Sequence, residues 1–121
     1  MTKTILTVDD SPSIRRMVAM TLGDAGYRVI EAVDGLDGLE KATSQPVDGI
    51  ITDQNMPNMD GISFIRELRS KPEGKGVPVI VLSTESSDGL KQTAREVGAT
   101  GWMVKPFDQA RLVAVVRKVF G

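Results

Sequence analysis

The sequence predicts one α/β domain built on a parallel, doubly wound sheet of five strands. Five strand-like runs alternate with five helix-like segments along the 121 residues, and each crossover is long enough to hold one helix. An apolar content of 40% suffices for one core between two layers of helices. We therefore expect a single domain over residues 1–121, without internal repeats.

Five short runs are predicted to be strands. Each is rich in apolar or β-branched residues and is bounded by glycine, proline or polar residues. The fourth run is the most apolar, as expected of a strand that is covered on both faces. The predicted strands cover residues 4–8, 28–32, 49–53, 77–82 and 102–104.

Each predicted strand is followed by apolar residues at helical spacing. The second of these helices carries Leu36, Leu39 and Ala42, and it must end before Pro46. Gly98 is expected to end the fourth helix. Four residues have the short polar side chains that are typical of helix N-caps. They are Ser11, Asp34, Asp60 and Asp108.

Acidic residues stand at the ends of two predicted strands, and a lysine ends a third. Asp9 and Asp10 follow the first strand, Asp53 ends the third, and Lys105 follows the fifth. Parallel strands present their carboxyl ends at one edge of the sheet, so these four groups should meet there. Three neighbouring carboxylates repel one another, and a divalent cation would remove that repulsion. Ligation by oxygen alone favours Mg²⁺, Mn²⁺ or Ca²⁺.

The composition excludes several kinds of chemistry. The chain has no histidine and no cysteine, which excludes imidazole bases, cysteine nucleophiles, zinc fingers and disulfides. An aspartate beside a cation remains available as a phosphoryl acceptor.

The charge and hydropathy of the chain also limit its partners. Fifteen basic and 16 acidic residues give a net charge of −1 without a basic stripe, so direct binding to nucleic acid is not expected. No signal-type segment and no apolar stretch of membrane-spanning length is visible. We expect a cytoplasmic protein.

The chain resembles the receiver domain of two-component response regulators, especially a stand-alone regulator of the chemotaxis type. The resemblance extends from Lys3 to Phe120, and its motifs occur in one order and spacing. It implies a flavodoxin-like sheet with strand order 2-1-3-4-5. The motifs are Val8-Asp9-Asp10-Ser11, Thr52-Asp53, residues 56–61, residues 78–83 and Lys105-Pro106-Phe107.

The resemblance implies a role for each residue at the sheet edge. Asp53 matches the phosphoacceptor. Together with Asp10 it would bind Mg²⁺ directly, the main-chain carbonyl of Asn55 would add a ligand, and Asp9 would act through water. Lys105 would bind a phosphoryl oxygen. The bond between Lys105 and Pro106 resembles the family's structural cis-proline.

The resemblance also implies a switch. Ser83 matches the switch hydroxyl by its distance from Pro78, and Thr84 is the rival. Phosphorylation would draw the hydroxyl towards Asp53 and make room for an aromatic residue of the fifth strand to turn inward. That residue is Trp102, which could equally be an ordinary packed aromatic. Its indole is bulkier than the family's usual tyrosine or phenylalanine and donates only through N–H.

Two further polar residues match positions that tune dephosphorylation in the family. They are Asn55 and Glu85, whose side chains could orient or block the attacking water. Both agree with fast-cycling chemotaxis regulators, so we expect a short-lived phosphorylated form.

The resemblance implies a phosphorylation-controlled protein-interaction switch in chemotaxis or motility signalling. A sensor histidine kinase would supply the phosphoryl group with Mg²⁺ as cofactor. The signal would leave for a motor switch or an enzyme through residues 88–97, Trp102 and residues 109–118, and a phosphatase could end it. A phosphorelay intermediate or phosphate sink would share every site residue.

Enzyme and carrier functions fit the sequence less well. Metal-dependent phosphohydrolases with an aspartate nucleophile usually carry Asp-x-Asp on one strand, whereas Asp9 and Asp10 are adjacent and no dedicated acid or base is visible. Flavin and nucleotide carriers need a glycine- or hydroxyl-rich loop after the first strand. Asp9 and Asp10 stand there instead and would repel a phosphate.

Overall fold

Five parallel strands form one sheet in the order β2-β1-β3-β4-β5, which confirms the predicted topology. The computed structural model describes residues 2–121. The strands are β1 (Thr4–Val8), β2 (Arg28–Ala32), β3 (Gly49–Asp53), β4 (Val79–Ser83) and β5 (Gly101–Val104). The helices are α1 (Pro12–Asp24), α2 (Gly35–Ser44), α3 (Gly61–Arg69), α4 (Asp88–Glu96) and α5 (Gln109–Phe120), with a short 3₁₀ turn at Pro72–Gly74.

Side-chain caps begin the helices where the sequence predicted them. The side chains of Ser11, Asp34, Asp60 and Asp108 each accept a hydrogen bond from the backbone N–H three residues later. Ser87 caps α4 in the same way. These contacts satisfy N–H groups that have no partner inside the helix, so the start of each helix is determined locally.

Both faces of the sheet are covered by apolar side chains. One cluster contains Leu6, Ile50, Phe64 and Val81 and lies beneath α2 and α3. The other contains Ile5, Ile51, Leu82 and Leu112 and lies beneath α1 and α5. Since β3 and β4 are buried along their whole length, they bring Asp53 and Ser83 to the sheet edge from a rigid centre.

Four details differ from the sequence prediction, one of which is that β5 begins at Gly101 rather than at residue 102. β4 begins at Val79 rather than residue 77, because Pro78 has no N–H with which to join the ladder. It extends to Ser83, whose carbonyl accepts a hydrogen bond from the Lys105 N–H at 2.8 Å. Leu36, an apolar position of α2, is 62% exposed.

The strand register aligns the ends that carry the predicted site. Val8 lies beside Thr52, Asp53 beside Leu82, and Ser83 beside Val104. The residues that end or follow these strands therefore share one edge of the sheet. None of the helices formed by residues 2–121 has the length and apolarity needed to cross a membrane.

Candidate functional site

Three carboxylates meet at the carboxyl edge of the sheet. Asp9, Asp10 and Asp53 each offer an oxygen, and these oxygens lie within 4.8 Å of one another. Asp9 and Asp53 are buried, with 2% and 7% of their surfaces exposed, whereas Asp10 is exposed to solvent. The cluster is therefore closed on the sides of Asp9 and Asp53 and open to solvent at Asp10, where an ion or a phosphodonor can enter.

Lys105 provides the cation of the cluster. Its Nζ lies 2.9 Å from Oδ1 of Asp53, and both side chains are mostly buried. The Lys105–Pro106 peptide bond is cis. One ammonium group leaves two of the three negative charges of the cluster unbalanced.

The Asp9 carboxyl shows the electrostatic cost of this arrangement. Burial raises the pKa of Asp9 above its ordinary value, and the charge of Asp53 raises the pKa further. The Ser11 N–H, which donates to Asp9 Oδ1 at 2.9 Å, and the charge of Lys105 act in the opposite direction. A bound cation would relieve the same repulsion.

The donor set fits a hard divalent cation. All the candidate ligands are oxygen atoms, two negative charges are unbalanced, and one side of the cluster is open. Mg²⁺ prefers oxygen ligands and usually keeps several waters, for which the open side of the cluster would leave room. The residues present therefore fit the magnesium site that the sequence predicts.

The loop after Asp53 is held tightly against the start of α3. The Gly61 N–H donates to the main-chain oxygen of Gln54, and the Gln54 side chain accepts from the Ile62 N–H at 2.9 Å. A Cβ atom on Gly61 would lie only 2.6 Å from the Asp53 carbonyl oxygen. These contacts fix the backbone next to Asn55, whose side chain is exposed. Gln54 could not be identified from the sequence, because a buried glutamine that caps a helix eight residues away has no local signature.

The predicted switch residues form a chain of hydrogen bonds. Ser83 is fully buried, and its Oγ accepts from the Glu85 N–H at 3.0 Å. The Glu85 carbonyl accepts from Trp102 Nε1, also at 3.0 Å. Trp102 is half-buried and packs against the core on the α3 side, whereas Thr84 and Glu85 are exposed. The indole is therefore attached to the backbone of the β4–α4 loop.

Arg15, a residue that the sequence motifs do not single out, also contacts this edge. Its guanidinium donates to the main-chain oxygen of Asp9 at 2.8 Å and to the Glu31 carboxylate at 3.1 Å. An arginine on a helix gives no sequence signal for such a contact, because its partner Glu31 lies on β2, a separate element of the fold.

A doubly wound sheet with three acids and one lysine at its carboxyl edge defines a class of phosphoacceptor signalling domains. Residues 5–117 match the response regulator receiver domain family. The chain belongs to this family, in which aspartate phosphorylation and Mg²⁺ binding are typical.

Individual relatives agree with this assignment. The chain is similar to a probable chemotaxis protein CheY of Rhizobium etli, with 36% identity over 97% of this chain and 92% of the relative. It is also similar to the chemotaxis protein CheY-3 of Vibrio cholerae, with 37% identity over 96% and 90% of the two chains. These names support a chemotaxis-type regulator.

Solved structures agree with the fold. The chemotaxis protein CheY4 of Vibrio cholerae superimposes with a TM-score of 0.95 and 45% identity, over 98% of this chain and 99% of the other. The receiver domain of a Pseudomonas aeruginosa sensor histidine kinase, solved with magnesium in its active-site cleft, gives a TM-score of 0.90 at 30% identity. That match covers 100% of this chain and 99% of the other.

Proposed function

We propose that this chain accepts a phosphoryl group from a sensor histidine kinase onto Asp53 and passes the signal to a target protein. The observation that carries the proposal is the convergence of Asp9, Asp10 and Asp53, with Lys105 bonded to Asp53. Phosphoryl transfer needs little beyond positioning and charge neutralisation, and this cluster supplies both.

The proposed metal ligands are the carboxylates of Asp10 and Asp53 and the main-chain carbonyl of Asn55, with Asp9 acting through water. Bound Mg²⁺ would neutralise charge on the phosphoryl oxygens. In the transfer step, an Asp53 oxygen forms a bond to phosphorus while the bond from phosphorus to the donor imidazole breaks. The imidazole nitrogen keeps that electron pair. Lys105 would exchange its contact with the free carboxylate for one with a phosphoryl oxygen.

The proposed switch starts from Ser83, since this buried residue ends β4, the strand paired with the one that ends at Asp53. Movement of Oγ towards the phosphoryl group would displace the Glu85 N–H, and the Glu85 carbonyl would carry the change to Trp102. Phosphorylation acts here only by stabilising one of two arrangements of the loop more than the other.

Two exposed side chains are proposed to set the lifetime of the phosphorylated form. Asn55 and Glu85 each lie two residues beyond a residue of the site, Asp53 and Ser83 respectively. Side chains there can reach the water that would attack phosphorus. We propose a short lifetime, and phosphorylated protein that persists for hours in Mg²⁺ buffer without its kinase would contradict it.

The proposed output surface comprises α4, β5 and α5. A recess of about 80 Å³ between α4 and β5 is lined by Lys91, Ala94, Arg95 and Trp102, among others. We propose that a target protein, such as a motor switch or an enzyme, binds over this recess beside the Trp102 indole. A phosphatase is a further proposed partner. We propose that the chain meets such partners in the cytoplasm.

A phosphorelay intermediate or phosphate sink is the alternative function. It would use the same cluster around Asp53, so the contacts at the site support both functions equally. A target that binds only the phosphorylated form would favour the switch, whereas onward transfer to a second histidine protein would favour the relay.

The direct test is phosphorylation of the Asp53→Asn variant by acetyl phosphate in Mg²⁺, followed by intact mass. The wild type should gain one phosphoryl group and the variant none, because an amide is a poor nucleophile. Asp60→Asn is the matched control, since asparagine caps α3 as well as aspartate does, and it should be labelled normally. Equal labelling of Asp53→Asn would contradict the proposal.

Lys105→Ala tests the coupling step. This variant should still be phosphorylated but should lose the phosphorylation-dependent change in target binding, because the cation that grips the phosphoryl group is gone. A normal change in target affinity, measured by titration with beryllofluoride, would remove Lys105 from this role.

A further inference from the structure

Arg15 of α1 joins the ends of two strands beside the acidic cluster. Its Nη1 donates to the main-chain oxygen of Asp9 at 2.8 Å, and its Nε lies 3.1 Å from Oε1 of Glu31 on β2. The Arg15 side chain is only 14% exposed and the Glu31 side chain 34%. We propose that Arg15 is a positioning residue, whose guanidinium sets the Asp9–Asp10 turn in the orientation that binds a divalent cation.

The backbone alone sets the orientation of the Asp10 carboxylate. Among the contacts of residues 2–121, its side chain takes part in no hydrogen bond, and it is exposed. The Asp9–Asp10 peptide therefore determines where this carboxylate points. Arg15 donates a hydrogen bond to the carbonyl oxygen of that peptide. The preceding peptide is held by the hydrogen bond from the Asp9 N–H to the Ala32 carbonyl.

Glu31 holds the guanidinium in place. An arginine presents several N–H donors in one rigid plane, so it can bond the Asp9 carbonyl and the Glu31 carboxylate at the same time. A lysine has the same charge without this planar fork. Partners that orient metal ligands in this way typically change metal affinity by about 10- to 100-fold when they are removed.

The charge of Arg15 and its geometry predict opposite effects on metal affinity. As a cation near the cluster, Arg15 repels a divalent ion, so removal of its charge alone would strengthen binding. As a positioning residue it strengthens binding, and its removal would weaken it. The sign of the change therefore distinguishes the two roles.

The inference rests on the proposed function, because it takes the acidic cluster to be a Mg²⁺ site. The test is isothermal titration of Mg²⁺ into the wild type, Arg15→Met, Arg15→Lys and Arg16→Met at neutral pH. Arg16 is exposed and is the next residue of α1, so Arg16→Met removes the same charge without this contact. Thermal unfolding in EDTA checks that each variant is folded.

We expect Arg15→Met to bind Mg²⁺ about tenfold more weakly than the wild type. Arg15→Lys should lie between the two and provides the answer if the methionine variant does not fold. Arg16→Met should bind as tightly as the wild type or slightly more tightly.

Several results would overturn the assignment of Arg15. They are an unchanged or higher affinity in Arg15→Met, equal losses in Arg15→Met and Arg16→Met, or wild-type affinity in Arg15→Lys. A wild type that binds no Mg²⁺ would instead contradict the proposed function, so the two failures are distinguishable.

Discussion

Helices α3 and α4 have the same length of nine residues but are attached to the sheet very differently. The apolar face of α3 is buried against the core, whereas α4 buries only Ala94 completely. The buried residues of α3 are Gly61, Ile62, Phe64, Ile65 and Leu68.

The difference assigns distinct tasks to the two helices. Because burial of apolar area supplies most of the packing free energy, α3 is costly to displace and α4 is not. α3 follows the loop after Asp53, the last residue of β3, and α4 follows the loop after Ser83, the last residue of β4, which contains Glu85. One side of the site therefore holds the proposed phosphoacceptor Asp53 still, while the other can rearrange at small cost.

The largest expected effect comes from core truncation in the two helices. Phe64→Ala should lower the free energy of unfolding by about 3–5 kcal/mol, because Phe64 is fully buried and its removal leaves a cavity. Leu90→Ala on α4 should cost less than about 1.5 kcal/mol, since Leu90 is only half-buried. Urea denaturation measures both, and equal losses would remove the contrast between the helices.

Two glycines test the same contrast at the helix starts. An alanine side chain at Gly61 would meet the Asp53 carbonyl, so Gly61→Ala should destabilise the protein by about 1–3 kcal/mol and slow phosphorylation by acetyl phosphate. Gly89 of α4 has open space around it, and Gly89→Ala should stabilise the protein by about 0.5–1 kcal/mol. If Gly61→Ala were neutral in both measurements, the junction would not be tightly packed.

The buried Asp9 carboxylate of the acidic cluster lowers the stability of the folded protein. Asp9→Asn should remove this destabilisation. The pKa of Asp9 is raised above its ordinary 3.8 in the folded state, so stability falls as pH rises from 3.8 through the folded pKa. The penalty is therefore present at pH 7, which lies above the ordinary pKa. In EDTA at pH 7 the variant should therefore unfold at a higher urea concentration than the wild type.

This difference should shrink below pH 3.8, where Asp9 is protonated in both states. Asparagine keeps an oxygen for the Ser11 N–H, which makes it a suitable replacement. A variant less stable than the wild type at pH 7 would contradict the cost that burial and the neighbouring charge of Asp53 impose on the Asp9 carboxylate.

A small effect is expected for the attachment of the loop before α4. Trp102→Phe removes the hydrogen bond to the Glu85 carbonyl and should lower stability by about 1 kcal/mol. Amide exchange in the β4–α4 loop should accelerate more than exchange in α3. Unchanged exchange in that loop would show that the indole contact does not restrain it.

Local features made the fold predictable from the sequence. The N-caps Ser11, Asp34, Asp60 and Asp108 each act within three residues, so their effect can be read from short segments. Alternation of strands and helices determined the parallel topology, and strand-end positions brought Asp9, Asp10, Asp53 and Lys105 to one edge. The start of β4 was misplaced because Pro78 looks apolar in the sequence but cannot donate to the ladder.

Contacts between distant segments could not be predicted in the same way. The bond from Trp102 to Glu85 depends on which way the indole turns, and the contacts of Arg15 depend on the packing of α1 beside β2. Leu36 has the helical spacing of a core residue yet is exposed, because α2 presents other residues to the sheet. Such details follow from tertiary packing rather than from local pattern.

Hydrogen exchange with and without beryllofluoride tests the central claim most directly. In Mg²⁺ buffer, beryllofluoride should alter amide exchange in residues 84–97 and 101–105 and leave residues 62–69 of α3 unchanged. Asp53→Asn should show no response. A response confined to α3, or an equal response in α3 and α4, would contradict the account.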